Sequence, residues 1–215
     1  MTSLADELAH RWQNLADELG WPRERARATG GELIARYGED HRRYHDQGHV
    51  LAVLDALQDL SGGAAAAATR LAAWYHDAIY EGVPGDDEES SARLAESQLR
   101  DLGLADDQVE RVARAVRATA RHFDPDGDHD AETALVLDAD LSPLAADAAT
   151  YDANSRAIRA EYSHVPDEAF RAGRLAVVDA LLARDRLFLT PAGHARYEDA
   201  ARANLSRERD RLVDR

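Results

Sequence analysis

Residues 64–80 read AAAAATRLAAWYHDAIY. An alanine run leads into Leu71, Trp74 and Tyr75 at helical spacing, and a His76-Asp77 pair follows at once. The spacing predicts an apolar helix over about residues 64–80 that carries an ionisable pair at its end. A carboxylate among Trp74, Tyr75 and Ile79 is costly to bury unless it is paired or ligated. Neighbouring residues on a helix diverge by about 100°. His76 and Asp77 therefore reach one ion only if it lies near the helix edge. The plainer reading is an imidazole–carboxylate pair at a helix end.

Outward from this stretch the helical period continues in both directions. Leu4, Leu8, Trp12 and Leu15 stripe a helix over about residues 3–19, with Ser3 as N-cap. Pro22 opens a second helix reaching Tyr37, weakened by Gly30-Gly31. A third runs from about Tyr44 to Leu60 and stops at Ser61-Gly62-Gly63. Beyond Tyr80, EGVPGDDEES reads as a loop, and a helix from about Glu88 to Leu102 ends at Gly103. Further helices are expected at about 106–121, 132–141, 147–162, 167–184 and 194–213, with FDPDGDHD a polar turn. β-branched alternation is nowhere sustained. The expected fold class is all-α, a single compact helical bundle of about nine or ten helices. One domain over 1–215 suits the length, with N-terminal helices in 1–39, a site-bearing core in 40–145 and C-terminal helices in 146–215.

The charge balance narrows the function. Net charge is −15 and the pI about 4.9. A nucleic-acid polymer and an anionic membrane surface are therefore poor partners. MTSLADELAHRWQNL lacks a secretory pattern, and the longest apolar run falls far short of a membrane span, so a cytoplasmic location is expected. Cysteine is absent, which removes thiolate ligands and nucleophiles. All 26 basic residues are arginine, so Schiff-base and P-loop lysines are excluded as well. Phosphate would have to be met by arginine, metal, backbone or histidine.

Three further clusters accompany His76-Asp77. In Arg42-Arg43-Tyr44-His45-Asp46-Gln47-Gly48-His49, the two histidines are four apart and share one face if both are helical. Two inward imidazoles at that spacing suit a divalent metal, or they are incidental at a helix start. Leu135-Val136-Leu137-Asp138-Ala139-Asp140-Leu141 places two acids in an apolar helix. One needs compensation; a solvent-facing or capping role fits Asp138 better than Asp140. His122, after Thr119-Ala120-Arg121, stands at a helix end, where a structural role is the plainer one.

In chain order these give histidine, His-Asp, then aspartate, which resembles the all-helical HD superfamily of metal-dependent phosphohydrolases. The resemblance implies that His49, His76, Asp77 and Asp140 are metal ligands and that residues 40–145 form the metal-site core of an HD-type domain. Arg42-x-Tyr44-His45-x-x-x-His49, Trp74-Tyr75-His76-Asp77-x-Ile79-Tyr80, Glu88-Glu89-x-Ser91-Ala92, Thr119-x-x-His122, Asp138-x-Asp140-Leu141 and Arg159-x-Glu161-Tyr162 together resemble a stand-alone bacterial group described as predicted HD phosphohydrolases. That likeness spans about residues 40–205. Asp87 departs from it, standing where the group leads one to expect asparagine.

The expected activity is metal-dependent hydrolysis of a small-molecule phosphoester, with nucleotides foremost among candidate substrates. The cofactor would be Mn²⁺, Co²⁺, Fe²⁺, Ni²⁺ or Mg²⁺, ions that accept six nitrogen and oxygen ligands. Between His45 and His49, His49 is the expected ligand, because the run Val50-Leu51-Ala52-Val53 anchors it. Arg42 is expected to clamp substrate phosphate, with a surface ion pair as its alternative, and His45 to contact substrate. Asp77, Glu88 and His122 form the candidate catalytic set. Glu88 is read as a base or as an exposed loop acid, and His122 as proton donor, substrate contact or second-metal ligand. Arg159 and Glu161 are expected to pair with each other beside the site. A non-catalytic nucleotide sensor and an HD-type di-iron oxygenase, using His45 and His122 as extra ligands, are the competing readings. A homodimer is left open.

Overall fold

Ser3 accepts the backbone N–H of Asp6, and the Asp6 carboxylate accepts the N–H of Ser3, which fixes where the first helix begins. The computed structural model describes residues 3–83, 85–120 and 129–214. Among them are ten α-helices and no strand: α1 (Leu4–Glu18), α2 (Arg23–Arg36), α3 (Gln47–Ser61), α4 (Ala67–Tyr75) and α5 (Asp86–Asp101). There follow α6 (Asp106–Thr119), α7 (Ala131–Leu141), α8 (Ala148–Glu161), α9 (Asp167–Leu182) and α10 (Pro191–Val213). A 3-10 helix, Ser142–Ala145, extends α7. The all-α bundle expected from the periodicity is what forms.

The differences lie at helix ends and have local causes. α4 stops at Tyr75, five residues short of the expected end. His76 is its C-cap, and the Ala78 N–H turns back to the Tyr75 carbonyl. α3 begins at Gln47 because Asp46 caps it, accepting the N–H groups of Gly48 and His49. His45 therefore precedes the helix instead of sharing its face with His49. α5 starts inside the expected loop, at Asp86. The expected turn at 123–130 lies almost wholly outside the described residues.

The larger core joins α1, α2, α4, α5 and α6 around Trp12, Trp21, Tyr37, Trp74 and Tyr75. Trp12 donates from Nε1 to the Ala26 carbonyl at 2.7 Å and lies flat against Gly30. A Cβ at Gly30 would fall 2.2 Å from the Trp12 ring. The glycine that weakens α2 in isolation is thus the contact that seats it. A second cluster, built on Val53, Leu57, Ala73 and Ala139, locks α3, α4 and α7 together. A third, around Leu187, Phe188, Val178 and Leu205, belongs to α9, α10 and the segment between them. No helix among the described residues is long and apolar enough to cross a membrane.

Candidate metal centre

The second cluster places three helix ends side by side. His49 projects from the first turn of α3, His76 and Asp77 from the end of α4, and Asp140 from the last turn of α7. The early stop of α4 lets His76 and Asp77 converge, because neither is bound to helical spacing. The His49 and His76 Nε2 atoms lie 3.1 Å apart. Asp77 Oδ2 is 3.2 Å from His76 Nε2 and 3.5 Å from His49 Nε2. Asp140 Oδ1 is 3.1 Å from His49 Nε2 and 3.5 Å from His76 Nε2. Both imidazoles are buried, whereas the carboxylates remain about one-sixth exposed, at 17% and 16%.

These spacings suit a shared cation. Ligand atoms about 2.1 Å from an ion, at right angles to one another, lie about 3.0 Å apart. His76 is also oriented as ligating histidines usually are: its Nδ1–H donates to the Ala73 carbonyl at 2.8 Å, which turns Nε2 toward the cluster. His49 lacks such a partner among the described residues, and its Nδ1 is buried without a hydrogen bond. Its ring is held instead by packing against Tyr44, at 4.9 Å between centroids. Tyr37 donates to the Trp74 carbonyl and accepts the Asp77 N–H, bracing the backbone of the pair.

The electrostatics state the same preference for positive charge. Burial disfavours a charged imidazole, yet the two aspartates more than offset it. His49 is raised above the ordinary histidine value and His76 well above it. Burial likewise opposes ionisation of Asp77, but the neighbouring histidines hold it well below the carboxylate range. Two nitrogens and two carboxylates held this way attract protons or a divalent ion. No family model matches the chain, and no curated protein matches it.

The other expected site residues lie in three different situations. Arg42 is not presented to substrate: its side chain is 0% exposed. Its guanidinium donates to the carbonyls of His45, Asp77 and Ala78, at 2.9, 2.7 and 3.1 Å, and to Glu39. It is a brace that ties the loop before α3 to the turn carrying Asp77. Glu88 is likewise engaged elsewhere, accepting the Gly85 N–H at 2.6 Å and closing the N-terminus of α5. The reading of Glu88 as a base therefore gives way to a helix cap. Asp87, beside it, accepts the N–H groups of Glu81 and Val83 and shapes the preceding loop. His122 lies outside the described residues.

His45 does stand beside the cluster, its ring 5.5 Å from that of His49 and stacked 4.2 Å from Tyr80. Its Nδ1–H donates to Glu161 Oε2 at 2.8 Å. Glu161, only 3% exposed, also accepts the N–H groups of Arg43, Tyr44 and His45, and the Tyr80 hydroxyl. Burial raises its pKa, but the His45 and backbone hydrogen bonds prevail and hold it at about 2. Arg159 does not pair with it; Arg159 reaches Asp167 and the carbonyls of Tyr162 and Val165. The sequence marked Glu161 but gave no sign of its true partners, which lie 81 to 118 residues away. Asp138 accepts from Leu189 N, Thr190 N and Thr190 Oγ1, so it holds the segment just ahead of α10, while Thr190 itself caps that helix.

Proposed function

We propose that the protein is a metal-dependent phosphohydrolase acting on a small phosphorylated molecule, in the manner of the HD superfamily its motifs resemble. The observation that carries this reading is the convergence of His49, His76 and Asp77 into one group, with each of the Asp77 and Asp140 carboxylates 3.1–3.5 Å from both imidazoles. Those four would hold a divalent ion such as Mn²⁺, Co²⁺, Fe²⁺, Ni²⁺ or Mg²⁺. When bound, it would lower the pKa of a coordinated water and neutralise charge developing on a phosphoryl group. The exposed edges of Asp77 and Asp140 leave room for substrate on that side.

The chain's own contribution is positioning. Arg42 and Asp46 fix the two loops that carry the ligands. Glu161 holds His45 through Nδ1, which leaves Nε2 as the ring nitrogen available to a substrate oxygen. His45 thereby keeps the substrate contact expected of it and becomes the candidate for proton delivery, the work first assigned to His122. Nucleoside monophosphates and sugar phosphates both satisfy this chemistry.

The test is a phosphate-release panel over nucleotides and sugar phosphates, run with each metal separately and with EDTA. Metal-dependent phosphate release, abolished in His76→Ala, is the expected result. Tight nucleotide binding without turnover after full metal loading would leave a sensor instead. Oxygen consumption by the iron-loaded protein would favour an oxygenase.

A further inference from the structure

A cleft of about 490 Å³ opens beside His49. Its walls are the loop before α3, the first turns of α3, the 3-10 helix and α8, with Tyr197 from α10. Two charged residues other than His49 line it, Arg43 and Asp46. Asp46 is already committed as the cap of α3, its carboxylate met by two backbone N–H groups. Arg43 is exposed, and its guanidinium makes no ion pair among the described residues. Its neighbour Arg42 is buried and fully engaged. Arg43 nonetheless springs from a fixed point, because its backbone N–H is held by Glu161 at 2.8 Å.

The setting makes that lone cation informative. The chain carries a net charge of −15, and many of its arginines face acids. An uncommitted guanidinium on the wall of a cleft that also contains His49 is a ready partner for an anion. The remaining wall is uncharged, with Tyr44 and Tyr197 its large side chains. Ala52, Ala145, Ala146 and Ala157 supply apolar surface, and Ser142 and Asn154 supply uncharged polar groups. The volume falls in the range of small-ligand sites.

We infer that Arg43 receives the anionic group of the substrate in this cleft. The ligand class is a phosphomonoester with a neutral, hydroxyl-bearing body, and polyphosphates are disfavoured. A second or third phosphate would meet no further arginine among the lining residues, and would lie in the field of a strongly acidic chain. The inference rests on the phosphohydrolase reading for its ester chemistry, but the anion site belongs to the cleft itself. It moves the phosphate contact one residue along from the position the sequence favoured.

The experiment is calorimetric titration of inorganic phosphate into Mn²⁺-loaded wild type, Arg43→Ala and Arg43→Lys. Circular dichroism and metal content serve as controls on each variant. Loss of one charge-assisted contact should weaken phosphate binding about 10- to 100-fold in Arg43→Ala, with partial recovery in Arg43→Lys. With a phosphomonoester substrate, KM should rise while kcat changes little. In metal-free wild type, where chelation does not intervene, tripolyphosphate should bind no tighter than phosphate. Equal phosphate affinity in wild type and Arg43→Ala overturns the inference and leaves the phosphohydrolase reading standing. Absence of phosphate binding by metal-loaded wild type overturns both. Phosphate binding that depends on Arg43 in a protein that takes up no metal keeps the anion site and removes the hydrolase. Tripolyphosphate binding more than about 10-fold tighter than phosphate overturns the monoester class.

Discussion

His45 and His49 are four apart in sequence, yet the cap at Asp46 separates them into different roles. His49 sits in the first turn of α3, followed by the buried Val50 and Val53, and its Nε2 faces His76, Asp77 and Asp140. His45 lies outside the helix, tied to Glu161. His49→Ala, His76→Ala and Asp77→Ala should therefore lose metal on dialysis while keeping their helical circular dichroism. His45→Ala should retain metal and lose turnover. Metal analysis of the purified variants decides it: a loaded His49→Ala beside an empty His45→Ala would reverse the assignment. The four proposed ligands could be named from the sequence only through the family resemblance that their residue types and chain order carry. The split between Arg42 and Arg43 was not. It depends on the Asp77 and Ala78 carbonyls, some 35 residues away, arriving where they can take up one guanidinium and leave the other.

At the scale of elements, the last residue of α8 organises the loop before α3. Glu161 gathers three backbone N–H groups, an imidazole and a phenol. Replacement by glutamine keeps the shape and removes the charge, which should cost on the order of 1.5–3 kcal/mol for the charge-assisted hydrogen bonds. The carboxyl is lowered from 4.5 to about 2 in the folded protein. Its stabilising share is thus present above about pH 4.5 and lost as pH falls toward about 2. Acid titrations followed by circular dichroism should show wild type and Glu161→Gln converging through that window. A gap that stays constant down to pH 2 counts against the assignment. Gly30→Ala tests a different element contact. Helix propensity alone favours alanine, but a Cβ 2.2 Å from Trp12 should make the variant less stable by about 1–3 kcal/mol. A stabilised variant would mean that the Trp12 ring yields easily. Here lies the limit of periodicity: it located every described α-helix, but helix ends follow caps and glycine contacts follow packing.

For the whole molecule, the proposed centre is where α3, α4 and α7 meet, so its occupancy should be felt by global stability. Without a cation, two buried imidazoles and Asp77 hold charge that burial opposes. An ion that binds only the folded chain adds about 2.7 kcal/mol at a free concentration 100 times its Kd. For a chain of 215 residues, each kcal/mol shifts Tm by about 2–4 °C, so loading should raise Tm by about 5–10 °C. The donors are nitrogen and oxygen with no sulfur, since the chain has no cysteine. Mn²⁺ or Co²⁺, which accept six such ligands, should therefore restore activity to EDTA-treated protein better than Zn²⁺. Thermal melts of the EDTA-treated chain, with each metal added back, read the first effect, and phosphate release reads the second. The Asp77→Ala variant serves as the control, because its Tm should not respond to metal. If wild type melts at one temperature with and without metal, the four side chains are a proton-sharing core cluster and the centre is structural. A metal-dependent rise retained in Asp77→Ala would place the ion elsewhere in this acidic chain.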